Sequence, residues 1–240
     1  MGNYLFNDEK INIARGLYKG VSNIHKFGAV PSMAVNTTGS VWDISDTVYP
    51  WSAFASASTV TVDRANAGDA SKVITIEGLD ENYEEVTDTC TLTNATGNTT
   101  DGGTTFIRVF RAFVSTGVTN VGNIDIKVST TVVARITADL GQTLMVIYTV
   151  PAGYTAYLTR GVMTVAANAD ATGNMYIRYF GQDAFRIGHT FEVSGTGGTY
   201  DYDFSVPQVI PEKSDIDVRA SVRSNNARAT AAFDIILKAN

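Results

Sequence analysis

Two histidines, one cysteine and three small groups of carboxylates are the residues of this 240-residue chain on which proton transfer, nucleophilic attack or metal binding would have to rest. An enzyme of the hydrolase, kinase or nuclease type needs a nucleophile, a base and a group that stabilises developing charge. His25 sits in a glycine-punctuated stretch and His189 in Arg186-Ile-Gly-His-Thr190, so a structural zinc site would have to draw its remaining ligands from one cysteine or from scattered carboxylates. Each histidine reads as a surface or hydrogen-bonding residue. Cys90 lies in the strand-like run Val86 to Leu92, which holds neither a histidine nor a cationic side chain to lower its pKa, and it reads as a small half-buried residue. A lone cysteine forms no intramolecular disulfide, and synthesis in a reducing cytoplasm follows.

The carboxylates allow one more chemistry. Asp80, Glu81, Glu84 and Glu85 crowd a turn, and Asp201 and Asp203 share one strand face about 7 Å apart, where their oxygens could hold calcium. Neither group has the 12-residue calcium-loop pattern. A solvated strand face, with Tyr200, Tyr202 and Phe204 turned inward, accounts better for the pair, and Asp215 with Asp217 read the same way. Gly195-Thr-Gly-Gly198 leads into another strand and lacks the Gly-Lys-Ser/Thr of a phosphate loop, so it reads as a hairpin loop. Phe106-Ile-Arg-Val-Phe-Arg-Ala-Phe113 interleaves aromatics with Arg108 and Arg111 as a nucleic-acid stacking platform would. The net charge of −6 and pI near 4.9 argue against nucleic acid and against an anionic membrane. Sandwich core with two rim arginines is the expectation there.

The elements that would position these residues are strands. Thr, Val and Ile number 30, 25 and 17, and these are side chains that fit a pleated surface. At 44% hydrophobic and 18% charged the chain can bury a core. Its most apolar run, Leu144 to Val150, stops at Pro151, far short of the roughly 20 residues of a membrane span. The first ten residues lack the basic and apolar regions of a secretory signal, which leaves the Asn-x-Thr sequons at Asn36, Asn94 and Asn98 as products of composition.

Residues 1–47 are broken by Gly16, Gly20, Gly28, Pro31 and Gly39 too often for a long helix or strand. They read as an extended arm, and Leu17, Tyr18, Ile24, Phe27 and Trp42 are the apolar residues with which it would lie on a surface of the same subunit or of a neighbour. From about residue 58 short alternating runs follow one another between Gly, Pro and Asn turns, nine of them after residue 120. The fold class is all-β: an antiparallel β-sandwich, jelly-roll-like, in two parts. The expected units are an arm at 1–47, a small sandwich at 48–119 and a jelly-roll-like sandwich at 120–240.

The succession Gly16-Leu-Tyr-Lys-Gly-Val-Ser-Asn-Ile-His-Lys-Phe-Gly28, Ile74-Thr-Ile-Glu-Gly-Leu-Asp-Glu-Asn-Tyr83, Phe106-Ile-Arg-Val-Phe-Arg-Ala112, Asn120-Val-Gly-Asn-Ile124, Gly141-Gln-Thr-Leu-Met145, Tyr148-Thr-Val-Pro-Ala-Gly-Tyr-Thr-Ala-Tyr157 and Pro211-Glu-Lys-Ser-Asp-Ile216 resembles a family of virion structural proteins of tailed bacteriophages, common among aquatic phages. The resemblance runs over nearly the whole chain. It implies β-sandwich building blocks, symmetric assembly and no enzyme, and it supplies no catalytic residue, metal ligand or cofactor. Its partners would be further copies of the chain and other virion proteins such as the major capsid protein, without nucleic acid or membrane. A head-associated decoration role in the virion is the leading expectation, after synthesis in a host bacterial cytoplasm. The alternative is a tail, connector or fibre component that binds a host surface glycan, with Trp51, Tyr200 and Tyr202 stacking on sugar rings.

Overall fold

The structure, a computed structural model, describes residues 9–240 other than 45, 167–168, 196 and 225. The first eight residues of the expected arm lie outside the described residues. A short helix α1, Glu9–Ala14, opens the chain. The strands that follow are β1 Val21–Met33, β2 Thr38–Ser40, β3 Ser58–Thr59, β4 Thr61–Arg64, β5 Val73–Leu79, β6 Glu85–Thr91, β7 Asn98–Thr99, β8 Thr105–Phe106 and β9 Arg108–Val114. The second half holds β10 Ile124–Val128, β11 Thr131–Ile136, β12 Ile147–Thr149, β13 Tyr154–Val165, β14 Ala171–Arg178, β15 Arg186–Val193, β16 Thr199–Ile210, β17 Asp215–Val222 and β18 Ala227–Ala239. The protein is nearly all β, and every pair between these strands is antiparallel.

Eight strands form a sandwich of two four-stranded sheets, one in the order β1-β18-β13-β16 and the other β12-β17-β14-β15, with β2 added beside β17. Counted along the chain, these are strands 1-8-3-6 over 2-7-4-5. Only the fourth and fifth strands are hairpin neighbours in one sheet, and the other connections cross between sheets, which is the jelly-roll winding. Alternation builds the core: β14 and β18 bury every second residue over most of their length. Val30, Met33, Leu158, Met163, Met175, Phe191, Val218 and Phe233 meet between the sheets.

The strand pairing divides the chain differently from the boundaries read off the sequence. β1, inside the expected arm, is the first jelly-roll strand and is held by eleven registered pairs to β18. Pro31 cannot donate to the ladder, and the register shifts between Val30 and Met33, as a β-bulge there requires. Gly28 is needed because β1 runs against the 144–145 backbone, where a Cβ would stand 2.8 Å from Leu144 C and Met145 N. The second body is an insertion between the first and second jelly-roll strands. It holds sheets β11-β10-β4-β7 and β6-β5-β9 and the pair β3-β8. Because β10 pairs with β4, residues 124–136 belong to this body and not to the jelly roll. Its core gathers Trp42, Tyr49, Phe54, Ile76, Phe106 and Ile126.

Deletions separate these pieces. Removing residues 1–20 should leave both sheets intact and the melting temperature nearly unchanged. Removing residues 1–40 takes Val30 and Met33 out of the core, at about 1.5–3 kcal/mol each, and should lower the melting temperature by at least about 10 °C. A longer deletion that melts like the full chain would show that β1 is dispensable.

Candidate functional site

The residues that could carry chemistry are dispersed. His25, on β1, places Nδ1 2.5 Å from Asp234 Oδ1 on β18 and stacks on Phe27. His189, on β15, lies among rings, and burial lowers its pKa, so it stays neutral at physiological pH. Cys90 is fully buried rather than half-buried, and burial followed by the charges of Asp101 and Asp88 pushes its thiol up to about 12, away from nucleophilic form. Asp80 caps its own turn by accepting from the Asn82 and Glu84 amides. Arg160 takes Asp201 in a bidentate pair at 2.6 and 2.9 Å and lies 3.9 Å from Asp203. A cation therefore already occupies the space between the two carboxylates. Among the described residues no three His, Cys, Asp or Glu side chains gather to hold a metal.

Asp215 and Asp217 depart from the sequence reading. Strand β17 is covered on both faces: Ile216 and Val218 enter the jelly-roll core, and Asp215 and Asp217 turn toward the inserted body, 2% and 0% exposed. Arg108 reaches from β9 with Nε and Nη2 donating to the two Asp215 oxygens at 2.8 and 3.0 Å. From β14, Arg178 donates to Asp215 Oδ2 at 2.6 Å, and Thr149 donates to Oδ1 at 2.6 Å. Asp217 Oδ2 accepts from Trp51 Nε1 and Arg219 Nε at 3.1 and 2.8 Å. The Trp51 ring lies 5.4–5.5 Å from the Arg108 and Arg178 guanidinium carbons, and the Phe185 ring 4.6–4.9 Å from those of Arg178 and Arg219. Burial pulls the Arg108 pKa down, and the hydrogen bond and charge of Asp215 outweigh it, so Arg108 stays charged. Arg111 stays at the rim as expected, paired with Glu77, but Arg108 is an internal clamp between the two bodies.

The same seam takes Trp51 out of reach of any sugar, buried between Tyr49 and Phe185. Trp42, expected in the arm's contact surface, is buried as well, against Tyr49 with its Nε1 donating to Thr47 O. Ile24 is half-buried on the jelly-roll core. Leu17 (53% exposed), Tyr18 and Phe27 remain open to solvent.

A surface of which the sequence marks only Tyr200 and Tyr202 lies on the other side, and there Tyr202 is exposed instead of turned inward. β15 and β16 are the outer strands of the two sheets and run side by side: His189 stacks on Tyr202 at 4.9 Å and meets Phe204 at 5.1 Å, with Tyr200 on the Phe191 edge. Opposite Leu158–Arg160 of β13, β16 takes five steps from Asp203 to Gln208, so Phe204–Pro207 bow out of the ladder. Pro207 suits such a bulge because it has no N–H to leave unpaired. The bow presents Val206 at 79% exposure, with Val209 and Ile187 also exposed along this edge. Proline in an otherwise regular run was the available sign of the bulge.

Neither a family model nor a curated protein matches the chain. Among solved structures, that of the infectious bursal disease virus Gt strain is 10% identical over 92% of this chain and 71% of that one, with a TM-score of 0.23. The VP2 subviral particle of the same virus is 8% identical over 90% and 69%, with a TM-score of 0.21. Scores this low describe no shared fold, and the jelly-roll assignment rests on the strand order alone.

Asp215→Ala would strand Arg108 and Arg178 without a counter-charge and should destabilise the fold by about 3–5 kcal/mol in denaturant unfolding. Arg160→Ala, in a solvent-exposed pair, should leave the unfolding midpoint nearly unchanged. Equal midpoints for the two variants would contradict the clamp.

Proposed function

We propose that this chain is a non-enzymatic structural protein of a virion, a head-associated decoration component that assembles with sister copies and with a shell protein such as the major capsid protein. The observation that carries the reading is the eight-strand jelly roll whose two outer strands, β15 and β16, leave Ile187, Val206 and Val209 exposed along one edge. Jelly rolls serve capsid shells and lectins, and an apolar strip on an acidic protein is the composition of a surface that stays soluble until it meets a complementary one. The fold alone does not assign a role. The resemblance of the turn and strand motifs to tailed-phage virion proteins supports the choice of shell over lectin. Leu17, Tyr18 and Phe27 form a second exposed apolar set near the N-terminus, suited to contact with a neighbour.

A second reading, a tail, connector or fibre component that binds a host surface glycan, is favoured by one observation: the Tyr202 ring is open to solvent and backed by His189, with Tyr200 beside it. Trp51 contributes nothing to such a site.

The double variant Val206→Asp/Val209→Asp separates these readings. The decoration account expects a multimer in light scattering for the native chain, a folded monomer by circular dichroism for the variant, and at least about ten-fold fewer variant copies per particle. Native mass and native occupancy in the variant would overturn the edge as the assembly surface. Saturable binding on a glycan array that is lost in Tyr202→Ala would favour the fibre reading.

A further inference from the structure

A sheet edge without a partner strand is a template for pairing with another chain. The jelly roll has four such edges, and three are shielded or broken. β1 runs against the inserted body, where Lys26 donates to the Phe110 carbonyl. β12 and β2 lie end to end along β17, and β12 touches β9. β16 carries Asp201 and Asp203, and its bow ends at Pro207, which offers no N–H to a new ladder. β15 differs. It pairs with β14 on one side and with no strand on the other among the described residues, and Arg186, Ile187, Gly188, Thr190 and Glu192 are exposed along it. Its bulge falls at Gly188, so residues 189–193 run in regular register. The rings of Tyr202 and Phe204 hold His189, and Phe191 is buried in the core. The edge is therefore ordered before a partner arrives, which keeps the ordering cost of association low.

Charge selects the partner. Arg186 and Glu192 stand toward opposite ends of β15 and neither has an ion-pair partner among the described residues, Glu192 only accepting from Thr172 Oγ1 at 3.1 Å. A second copy laid antiparallel brings the Arg186 end of each strand to the Glu192 end of the other, and two-fold symmetry makes the match twice. Laid parallel, the copies would put like charges together. We propose that two copies of this chain pair antiparallel through β15, about a two-fold axis near residues 189–190, and join their β12-β17-β14-β15 sheets into one continuous sheet. The N–H and C=O groups of β15 that face away from β14 supply the ladder. The Arg186 and Glu192 ends fix its direction, and the exposed Ile187 of each copy adds apolar cover. This pairing rests on the reading of the β15–β16 edge as an assembly surface, and it names the partner and the direction of approach.

The test uses the full chain in sedimentation velocity at up to about 100 µM, where even weak pairing is populated. The native chain should be a dimer in concentration-dependent exchange with monomer. Arg186→Glu and Glu192→Arg, both at exposed positions and checked for folding by circular dichroism, should each raise the dimer dissociation constant at least about ten-fold, because each puts like charges at both ends of the ladder. The double variant Arg186→Glu/Glu192→Arg exchanges the two ends and should recover native pairing to within about three-fold. Mixing the two single variants should give a heterodimer, since one brings two acids and the other two bases. Hydrogen exchange should find alternate amides of residues 189–193 protected in the native dimer and open in Arg186→Glu. A native chain that stays monomeric over that range, a dimer indifferent to both reversals, or a double variant no better than the singles would overturn the pairing. A chain that pairs as stated yet is absent from intact virus particles would support the pairing and overturn the virion reading, and a chain present on particles but monomeric throughout would do the reverse.

Discussion

The bidentate contact of Arg108 with Asp215 is the constraint on which the arrangement of this protein depends. The first and second jelly-roll strands are separated by residues 34–146, a whole β body; closing a connection that long costs little more than closing a shorter one, and what the contact supplies is a defined placement of the insertion on the sheet it interrupts. Arg108 comes from the insertion and Asp215 from the jelly roll, and both are almost fully buried. Such a pair is weak evidence of net stability, but removing either partner leaves a buried charge. Its contribution is geometric: the bidentate fork, with Arg178, Trp51 and Asp217 around it, allows one placement of β9 against β17.

From that placement the other features follow. With β9 held against β17, Phe110 reaches the jelly-roll core and its carbonyl takes Lys26, so a cavity between the bodies keeps a fixed shape. Asp43, close to the same seam, accepts from the Leu144 amide, and burial pushes its carboxyl up to about 7. Its folded-state pKa lies above its unfolded value, so the stability linked to its proton is present at low pH and is lost as pH rises toward 7. With the β12-β17 side of the sandwich covered by the insertion and β2, the β15–β16 edge remains open. An exposed apolar edge and an internal seam thus occupy different sides of one jelly roll.

Much of the strand content was legible in the sequence, because period-2 alternation between glycine and asparagine turns marks β5, β6, β10, β13, β14 and β18 directly. β1 was not, because Gly28 and Pro31 interrupt it; both have tertiary causes, a close backbone approach and a bulge, that no local pattern displays. Asp215 and Asp217 alternate with Ile216 and Val218 as on a strand with one wet face. Only the insertion packed on that face shows that the carboxylates are internal, and their arginine partners lie up to 107 residues away in sequence. Trp42 and Trp51 look available to partners for the same reason: an aromatic on a loop is indistinguishable from a contact residue until the second core forms around it. Tyr200 and Tyr202 do sit together, but beside His189, on a strand of the opposite sheet that only the packing of the two sheets brings to them.

The proposal that this chain is a building block of a virion, with its β15–β16 edge against a neighbouring copy, is put to the test by cryo-EM of intact particles. Density for this jelly roll is expected in many symmetry-related copies on the head, with Val206 and Val209 at a contact between neighbours. Particles that lack the chain, or that carry it with this edge facing solvent in every copy, would contradict it.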